Sequence, residues 1–399
     1  WWNDMKIRGS YGSLGNQVMD NLGNFPYLAT YGTNSSYNYL INGSKPVIVK
    51  APGLVASDFT WETVTQMDFG FDASFLNNRL TGTFDWYRRN TKDMLVAGAT
   101  LPATLGASVP KSNSADMKTI GWELSLGWND RLENGFSYWV KGVLSDYQAT
   151  ITKYAGNDAG FYSQSDGDGK YYVGQKIGEI WGYHSNGLFQ SDDEAATIDQ
   201  SELYAGKWGA GDVKYEDLDG DGKITKGEET IYNPGDKSII GNKTPRYQFG
   251  ITVGFDYKNF DFEMFWQGTG KRDYMLSGAQ FWGFTSQWDV PYTPALDYWT
   301  ETNTDAYFPR PGWQNGGNRV TSDRYLQSAA YGRLKNLTVG YTIPKNLTTK
   351  WGISRLRLYV TGENLLTITP LNDAFDPETL GGLTYPINRK VAIGLNLTL

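Results

Sequence analysis

The last nine residues of the chain alternate strictly between two kinds of side chain. Small or polar residues fill the even positions, and the odd positions hold Val391, Ile393, Leu395, Leu397 and Leu399. A period of two is the pattern of a β-strand with one apolar face. A soluble sheet avoids such an apolar edge strand, whereas in a membrane barrel lipid covers the apolar face and closure removes the edge.

The same alternation recurs along the chain and predicts ten strands. The ten segments are 5–12, 65–76, 80–87, 122–128, 136–144, 249–257, 260–267, 333–341, 356–361 and 391–399. Most are close to the roughly 9–11 residues that a tilted strand needs to cross a bilayer. No stretch approaches the roughly 18 apolar residues of a membrane helix, so the predicted fold class is all-β, a transmembrane antiparallel β-barrel.

Short and long connections alternate between these strands. The short ones are 77–79, 130–135, 258–259 and 344–354, and the long ones are roughly 15–58, 90–116, 148–246, 271–325 and 366–389. Bacterial outer-membrane barrels have short periplasmic turns and long extracellular loops. We therefore expect residues 1–399 to be part of one β-barrel domain, with 148–246 as a long extracellular insertion.

Composition agrees with a barrel and limits the possible functions. Aromatic residues make up 15% of the chain, as in the interfacial girdles of barrels, although soluble carbohydrate-binding β proteins share this richness. The net charge of -7 argues against a nucleic-acid partner.

With no cysteine and a single histidine, His184, the chain offers no catalytic constellation. We interpret His184 as a surface or hydrogen-bonded residue and expect no enzyme.

The sharpest chemical motif is a twelve-residue acidic segment from Asp217 to Glu228. It matches the calcium loop D-x-[DN]-x-[DN]-G-x5-E at every defined position. The predicted ligands are the carboxylates of Asp217, Asp219, Asp221 and Glu228, the carbonyl of Lys223, and Thr225 directly or through water. Gly222 permits the sharp turn between the two halves. Because the flanks are poor in helix signals, we expect a structural Ca²⁺ site without EF-hand helices; a solvated acidic turn is the alternative.

A series of short motifs runs along nearly the whole chain. They are 6–17 (KIRGSYGSLGNQ), 217–224 with 239–247 (IIGNKTPRY), 265–270 (FWQGTG), 331–341 (YGRLKNLTVGY), 358–365 (LYVTGENL), 376–378 (DPE) and 385–386 (YP). In sequence and in order they resemble the motifs of SusC/RagA-type TonB-dependent transporters of the outer membrane. One departure is Leu399 at the end, where family members often carry an aromatic residue.

The resemblance implies an importer that acts with a SusD-like surface lipoprotein and the TonB complex. It implies a barrel of about 22 strands with an N-terminal plug, so the ten strands would be the closing part. The start at Trp1 lacks a secretion signal, and we expect the plug and earlier strands to precede it in a longer polypeptide. The expected cargo is oligosaccharide, with oligopeptide second; a non-transporting glycan-binding or adhesion barrel is the alternative from another class.

Aromatic residues of the long loops could stack on sugars, contact a lid protein, or form loop cores. We expect the core role for any single one. These residues are Trp181, Tyr183, Trp208, Trp282, Trp288, Trp299 and Trp313.

Overall fold

Ten long strands form one antiparallel sheet in which neighbours along the chain are neighbours in space. The computed structural model describes residues 2–16, 25, 27–34, 40–50, 52–57, 59–97, 102, 104, 109–162, 171–312, 314–381 and 385–399. The strands are β1 Trp2–Asn16, β2 Glu62–Phe75, β3 Leu80–Ala97, β4 Lys111–Arg131, β5 Ser137–Tyr154, β6 Arg246–Tyr257, β7 Phe260–Lys271, β8 Tyr331–Thr342, β9 Arg355–Ile368 and β10 Lys390–Thr398. All ten predicted strands are confirmed. Within the described residues β1 and β10 each have one partner, so the sheet is open, with the up-and-down strand order expected for an arc of a barrel.

Several strands are longer than a membrane crossing requires. β3, β4 and β5 contain 18, 21 and 18 residues, whereas about 9–11 suffice to cross a bilayer. The predicted loop bounds of 90–116 were therefore wrong, because the β3–β4 ladder continues to the pair Ala97 and Lys111. The alternation of apolar residues stops where the membrane would end. The backbone hydrogen bonds that define a strand do not depend on apolar side chains, so the strands continue beyond that point.

The strand register separates the side chains into an apolar face and a polar face. Leu358 pairs with Leu395 and Val360 with Ile393, so the odd residues of 391–399 extend the apolar face. They are between 47% and 84% exposed, but most residues on both faces of this edge strand are exposed, so the register and not the exposure identifies the apolar face. The polar face holds the acidic and amide residues that alternate with the apolar positions: Asp85, Glu123, Asp256, Asp261, Glu263 and Gln267.

The remaining regular elements are short and lie mostly in the long connections. The strands are Gly32–Asn34, Ile48–Lys50, Glu179–Tyr183, Ser185–Leu188, Val213–Tyr215, Lys237–Asn242, Asp273–Met275 and Leu326–Ser328. The helices are α1 Asp192–Ala195, α2 Ala279–Trp282 and α3 Lys345–Thr348, with 3-10 turns at Thr293–Leu296, Gly316–Arg319 and Thr349–Trp351. Among the described residues, no helix has the length and apolar character needed to cross a membrane.

The main hydrophobic core lies in the long connections rather than in the sheet. Residues from 155–245, 272–330 and 369–389 pack together, and we call these three connections the loop assembly. Its core contains Tyr183, Leu188, Val213, Tyr215, Ile224, Leu276, Phe281, Trp282, Trp299, Ala306, Phe308, Tyr325, Ala329, Leu371, Phe375 and Leu380. The three connections therefore fold as one unit at the end of the sheet where the long loops emerge.

Candidate functional site: polar wall, acidic loop and loop assembly

The polar face of the sheet carries ion pairs that span three strands. The Arg8 guanidinium on β1 lies 3.0 Å from both the Asp72 carboxylate on β2 and the Asp85 carboxylate on β3. It reaches Asp85 because Gly70, which lies between them, has no side chain: a Cβ there would collide with Asp85. A glycine thus lets one cation neutralise charges on two further strands.

The same arrangement recurs near the other end of the sheet. The Arg357 guanidinium on β9 donates to the Asp261 carboxylate on β7, with one nitrogen–oxygen distance of 2.9 Å. Gly340 on β8 lies between them, and a Cβ there would collide with both side chains. The polar face of the sheet, which we call the polar wall, is therefore stabilised by ion pairs between strands as well as by the backbone hydrogen bonds of the sheet.

Between these ion pairs the polar wall forms a groove rich in hydrogen-bonding groups. Asp85 and Glu123 face one another on adjacent strands, and Ser125, Ser145 and Gln248 line the same groove. Carboxylates, hydroxyls and an amide can bind water or a polar solute.

The acidic segment folds into a compact loop around its carboxylates. The two Asp217 oxygens accept the backbone N–H groups of Gly220 and Gly222, both at 2.7 Å. Gly220 and Gly222 have φ of +78° and +84°, the left-handed region in which glycine is favoured. The turn expected at Gly222 is therefore present.

One carboxylate brought to this loop was missed by the sequence analysis. Ligand oxygens of Asp217, Asp219 and Asp236 all lie within 4.8 Å of one another. Asp236 is fully buried and accepts the N–H groups of Leu218 at 2.8 Å and Thr225 at 2.7 Å. It lies beyond the twelve-residue motif, just before the strand Lys237–Asn242, so no spacing rule could identify it.

The other predicted ligands take different positions. Asp221 accepts the Lys223 N–H at 2.8 Å and is not a member of the three-carboxylate group, and neither is Glu228. The Lys223 backbone forms a bridge to Asp199, and the Glu228 N–H donates to the Asn233 carbonyl at 3.0 Å. The Thr225 backbone is bound to Asp236.

The local electrostatics differ between the first two aspartates. The N–H of Gly222 is the main reason that the pKa of Asp217 is lowered. The pKa of Asp219 is raised: its hydrogen bond from the Asp221 N–H acts in the lowering direction, but desolvation and the charges of Asp221, Asp236 and Asp217 outweigh it. Excess negative charge at Asp219 would be relieved by a cation.

His184 is more constrained than the sequence analysis indicated. Its Nδ1 lies 2.8 Å from an Asp323 carboxylate oxygen, and its Nε2 lies 2.7 Å from Ser238 Oγ. The hydrogen-bonded interpretation is confirmed. The partners are 54 and 139 residues away in sequence, which is why no sequence pattern could identify them.

The loop aromatics serve mainly as core residues, as expected. Trp181, Tyr183, Trp282 and Trp299 are buried, and Trp208 packs against the core. Trp288 is the opposite case, with 83% of its surface exposed. Trp313 lies outside the described residues.

A charge cluster around the buried side chain of Arg333 joins the polar wall to the loop assembly. Arg333 on β8 is 3% exposed, and its guanidinium lies 2.6 Å from the Asp376 carboxylate and 3.0 Å from that of Glu378. Lys335 lies 3.1 Å from Glu378. The last long connection is therefore fixed to the polar wall by two cations and two carboxylates.

Comparison with known proteins places this architecture in a family. The model of the family described as "TonB dependent receptor-like, beta-barrel" matches residues 1–365. TonB-dependent receptor P3 of Formosa agariphila is 30% identical over 98% of this chain and 39% of its own length. TonB-dependent receptor SusC of Bacteroides thetaiotaomicron is 26% identical over 99% of this chain and 37% of its own length.

A solved structure has the same fold. The solved structure of the RagAB peptide transporter superposes on this chain with a TM-score of 0.75 and 22% sequence identity. The match covers 100% of this chain and 41% of that chain. The chain thus spans about two fifths of the length of its relatives. Its homologues are transporters rather than enzymes. The match over 365 residues, together with the ten-stranded sheet, shows that the chain belongs to the TonB-dependent receptor family, as a SusC/RagA-type β-barrel of the bacterial outer membrane.

Proposed function

We propose that the protein containing this chain imports oligosaccharides across the outer membrane, with a SusD-like lipoprotein at the cell surface and TonB as the energy source. Nutrient import across the outer membrane is general to the family. The observation that carries the proposal to this chain is the polar wall. One face of the sheet holds charged, hydroxyl and amide groups while the other is apolar, which suits hydrophilic cargo inside a lipid-covered wall.

Oligopeptides are the second candidate cargo. The structural relative is a peptide transporter, and the groove of Asp85, Glu123 and Gln248 on the polar wall could bind peptide amides as well as sugar hydroxyls. We keep oligosaccharides as the first candidate because of the resemblance between the sequence motifs and SusC/RagA-type transporters. An adhesion barrel without transport is the remaining alternative, and it predicts binding without uptake.

Growth of a deletion strain tests the proposal. We expect loss of growth on one class of polymer, with rescue by the full-length gene and no rescue in cells that lack TonB. A SusD-like lipoprotein should co-purify with the full-length protein. Loss of growth on peptides alone would favour the second cargo. Normal growth on every polymer, together with retained glycan binding, would favour the adhesion barrel.

We also propose that the acidic loop binds a structural Ca²⁺. The motif from Asp217 to Glu228 and the approach of Asp236 support this assignment, because grouped carboxylates repel one another without a cation. Calcium accepts six to eight oxygens in variable geometry, which suits a loop of carboxylates and carbonyls better than the strict octahedron of Mg²⁺. The neighbouring Ile224 is fully buried in the loop core, so an ordered loop would support the loop assembly.

Calcium titration of the full-length protein tests this assignment. Binding at a hundred times Kd should stabilise the loop assembly by about 2.7 kcal/mol, seen as slower proteolysis of the loops. Asp217→Asn should abolish the response, and Asp193→Asn, which removes an exposed carboxylate elsewhere in the assembly, should retain it. An equal response in both variants, or none in the native protein, would exclude the site.

A further inference from the structure

The side chains of Ser238, His184 and Asp323 form a continuous hydrogen-bonded series. Ser238 Oγ lies 2.7 Å from His184 Nε2, and His184 Nδ1 lies 2.8 Å from Asp323 Oδ2. A hydroxyl, an imidazole and a carboxylate in this order, each within hydrogen-bond reach of the next, are the parts of an activated nucleophile. Such a constellation is recognised by geometry and roles rather than by sequence position.

Asp323 is itself held in place. Its second oxygen, Oδ1, accepts the backbone N–H of Ser185 at 3.0 Å, and its own N–H donates to the Tyr183 carbonyl at 3.1 Å. Asp323 is thus fixed to both residues that flank His184, to Ser185 through its carboxylate and to Tyr183 through its backbone N–H. With Nδ1 protonated and bound to Asp323, the Nε2 lone pair of His184 is directed at the Ser238 hydroxyl.

The Ser238 hydroxyl is supplied by a different element. Ser238 lies in the strand Lys237–Asn242, paired with Gly182 in the strand Glu179–Tyr183. The ladder between these strands shifts register just beyond Ser238, between Ile239 and Gly241. The series therefore joins two long connections, with Asp323 supplied by 272–330 and the other two residues by 155–245.

The series is open to solvent. The His184 and Asp323 side chains are 34% and 40% exposed, and Ser238 is half-buried. The series therefore lies at the surface of the loop assembly and not in its core. Buried residues that merely pack loops together, such as Tyr215, have no access to solvent.

We infer that Ser238 is a nucleophilic serine that accepts acyl groups from activated esters. Ser238 Oγ attacks the ester carbonyl carbon as its proton passes to His184 Nε2, while Asp323 stabilises the imidazolium that forms. The ester C–O bond breaks, and the departing alcohol takes the proton from His184. Water, deprotonated by the same imidazole, then attacks the acyl carbon, releases the acid and restores the Ser238 hydroxyl.

A fluorophosphonate probe tests this site in the full-length protein, purified with any partners. Attack by Ser238 forms an Oγ–P bond and releases fluoride, with the proton taken by His184. We expect mass spectrometry to find the label on Ser238 in the native protein and not after heat denaturation. Absence of label on Ser238, or equal labelling after denaturation, would overturn the inference.

Variants separate nucleophilic activation from a purely structural role. His184→Gln should slow labelling of Ser238 by about 10²-fold, the contribution of a positioned base. Asp323→Asn should also slow it, and Ser238→Ala should remove it. Ser185→Ala is the matched control, because it removes a nearby hydroxyl and keeps the backbone N–H that binds Asp323. An unchanged rate of Ser238 labelling in His184→Gln would overturn the inference. Limited proteolysis of the loops checks that each variant is folded.

Discussion

The sheet and the loop assembly use apolar residues in opposite ways. Val360 in β9, which is paired on both sides, is 46% exposed, whereas Phe281 in the loop assembly is fully buried. The sheet keeps its apolar side chains on the outside because lipid is their solvent, and its strands are held by backbone hydrogen bonds. The loop assembly lies in water and must form a core of its own. One chain therefore follows two folding rules, according to the solvent of each region.

The aromatic contacts differ in the same way. In the sheet, Phe255 and Phe262 are directly paired across β6 and β7, with ring centroids 5.0 Å apart. In the loop assembly, Phe281 contacts the rings of Phe308 and Phe375, at 5.1 Å and 6.2 Å, although these are distant in sequence. The contact between Phe255 and Phe262 follows from the strand register alone. The contacts of Phe281 form only when the long connections fold together.

The loop core should be the more sensitive region to truncation. Phe281→Ala removes a fully buried ring, which costs about 3–5 kcal/mol in well-packed cores. Proteolysis of the three connections should accelerate sharply while the sheet still assembles. Trp288→Ala, at an exposed position in the same connection, should change stability by no more than about 0.5 kcal/mol. Equal sensitivity at both positions would show that the core is not where the structure puts it.

The junction between the two regions should depend on Arg333. Arg333→Met removes the buried cation that binds the Asp376 and Glu378 carboxylates. Because these carboxylates are 27% and 20% exposed and Lys335 still binds Glu378, the loss should lie at or below the lower end of the about 3–5 kcal/mol that breaking a fully buried pair costs. The connection 369–389 should become susceptible to proteases. Arg79→Met is the control, because Arg79 pairs with Asp130 at a more exposed site, where about 0.2–1 kcal/mol is expected. Similar losses in both variants would contradict the junction.

The apolar face should reject charge in a way that the polar face does not. Leu395→Arg should cost about 2–4 kcal/mol near the midplane of the bilayer, and it should reduce heat-modifiable, assembled barrel in cell envelopes. Asn396→Ser, on the opposite face of β10, should assemble normally. Equal tolerance at both positions would reverse the assignment of the faces.

The smallest expected effect concerns the ion pairs of the polar wall. Gly340→Ala would displace the ends of the Asp261 and Arg357 side chains, which weakens their ion pair at a cost of about 1 kcal/mol or less. Gly142→Ala, where a Cβ meets nothing within 4 Å, is the matched control on β5. The melting temperature of the full-length barrel should fall for the first variant alone.

Sequence reasoning succeeded where structure follows from local rules. The ten strands, their two faces and the alternation of short and long connections all follow from a period of two and from chain order. The acidic motif was found because its spacing is fixed within twelve residues. Strand ends were placed less well, because β3 and β4 continue pairing beyond the last alternating residue.

The sequence by itself therefore determined the wall, since lipid imposes a regular apolar pattern that can be read along the chain. The tertiary structure alone decided what the long connections do. It buried Trp181, Trp282 and Trp299 but exposed Trp288, brought Asp236 to the acidic loop, and joined His184 to Ser238 and Asp323. The physical reason is that the core of the loop assembly forms from segments that are far apart in sequence. No periodic pattern along the chain indicates which of these segments pack together.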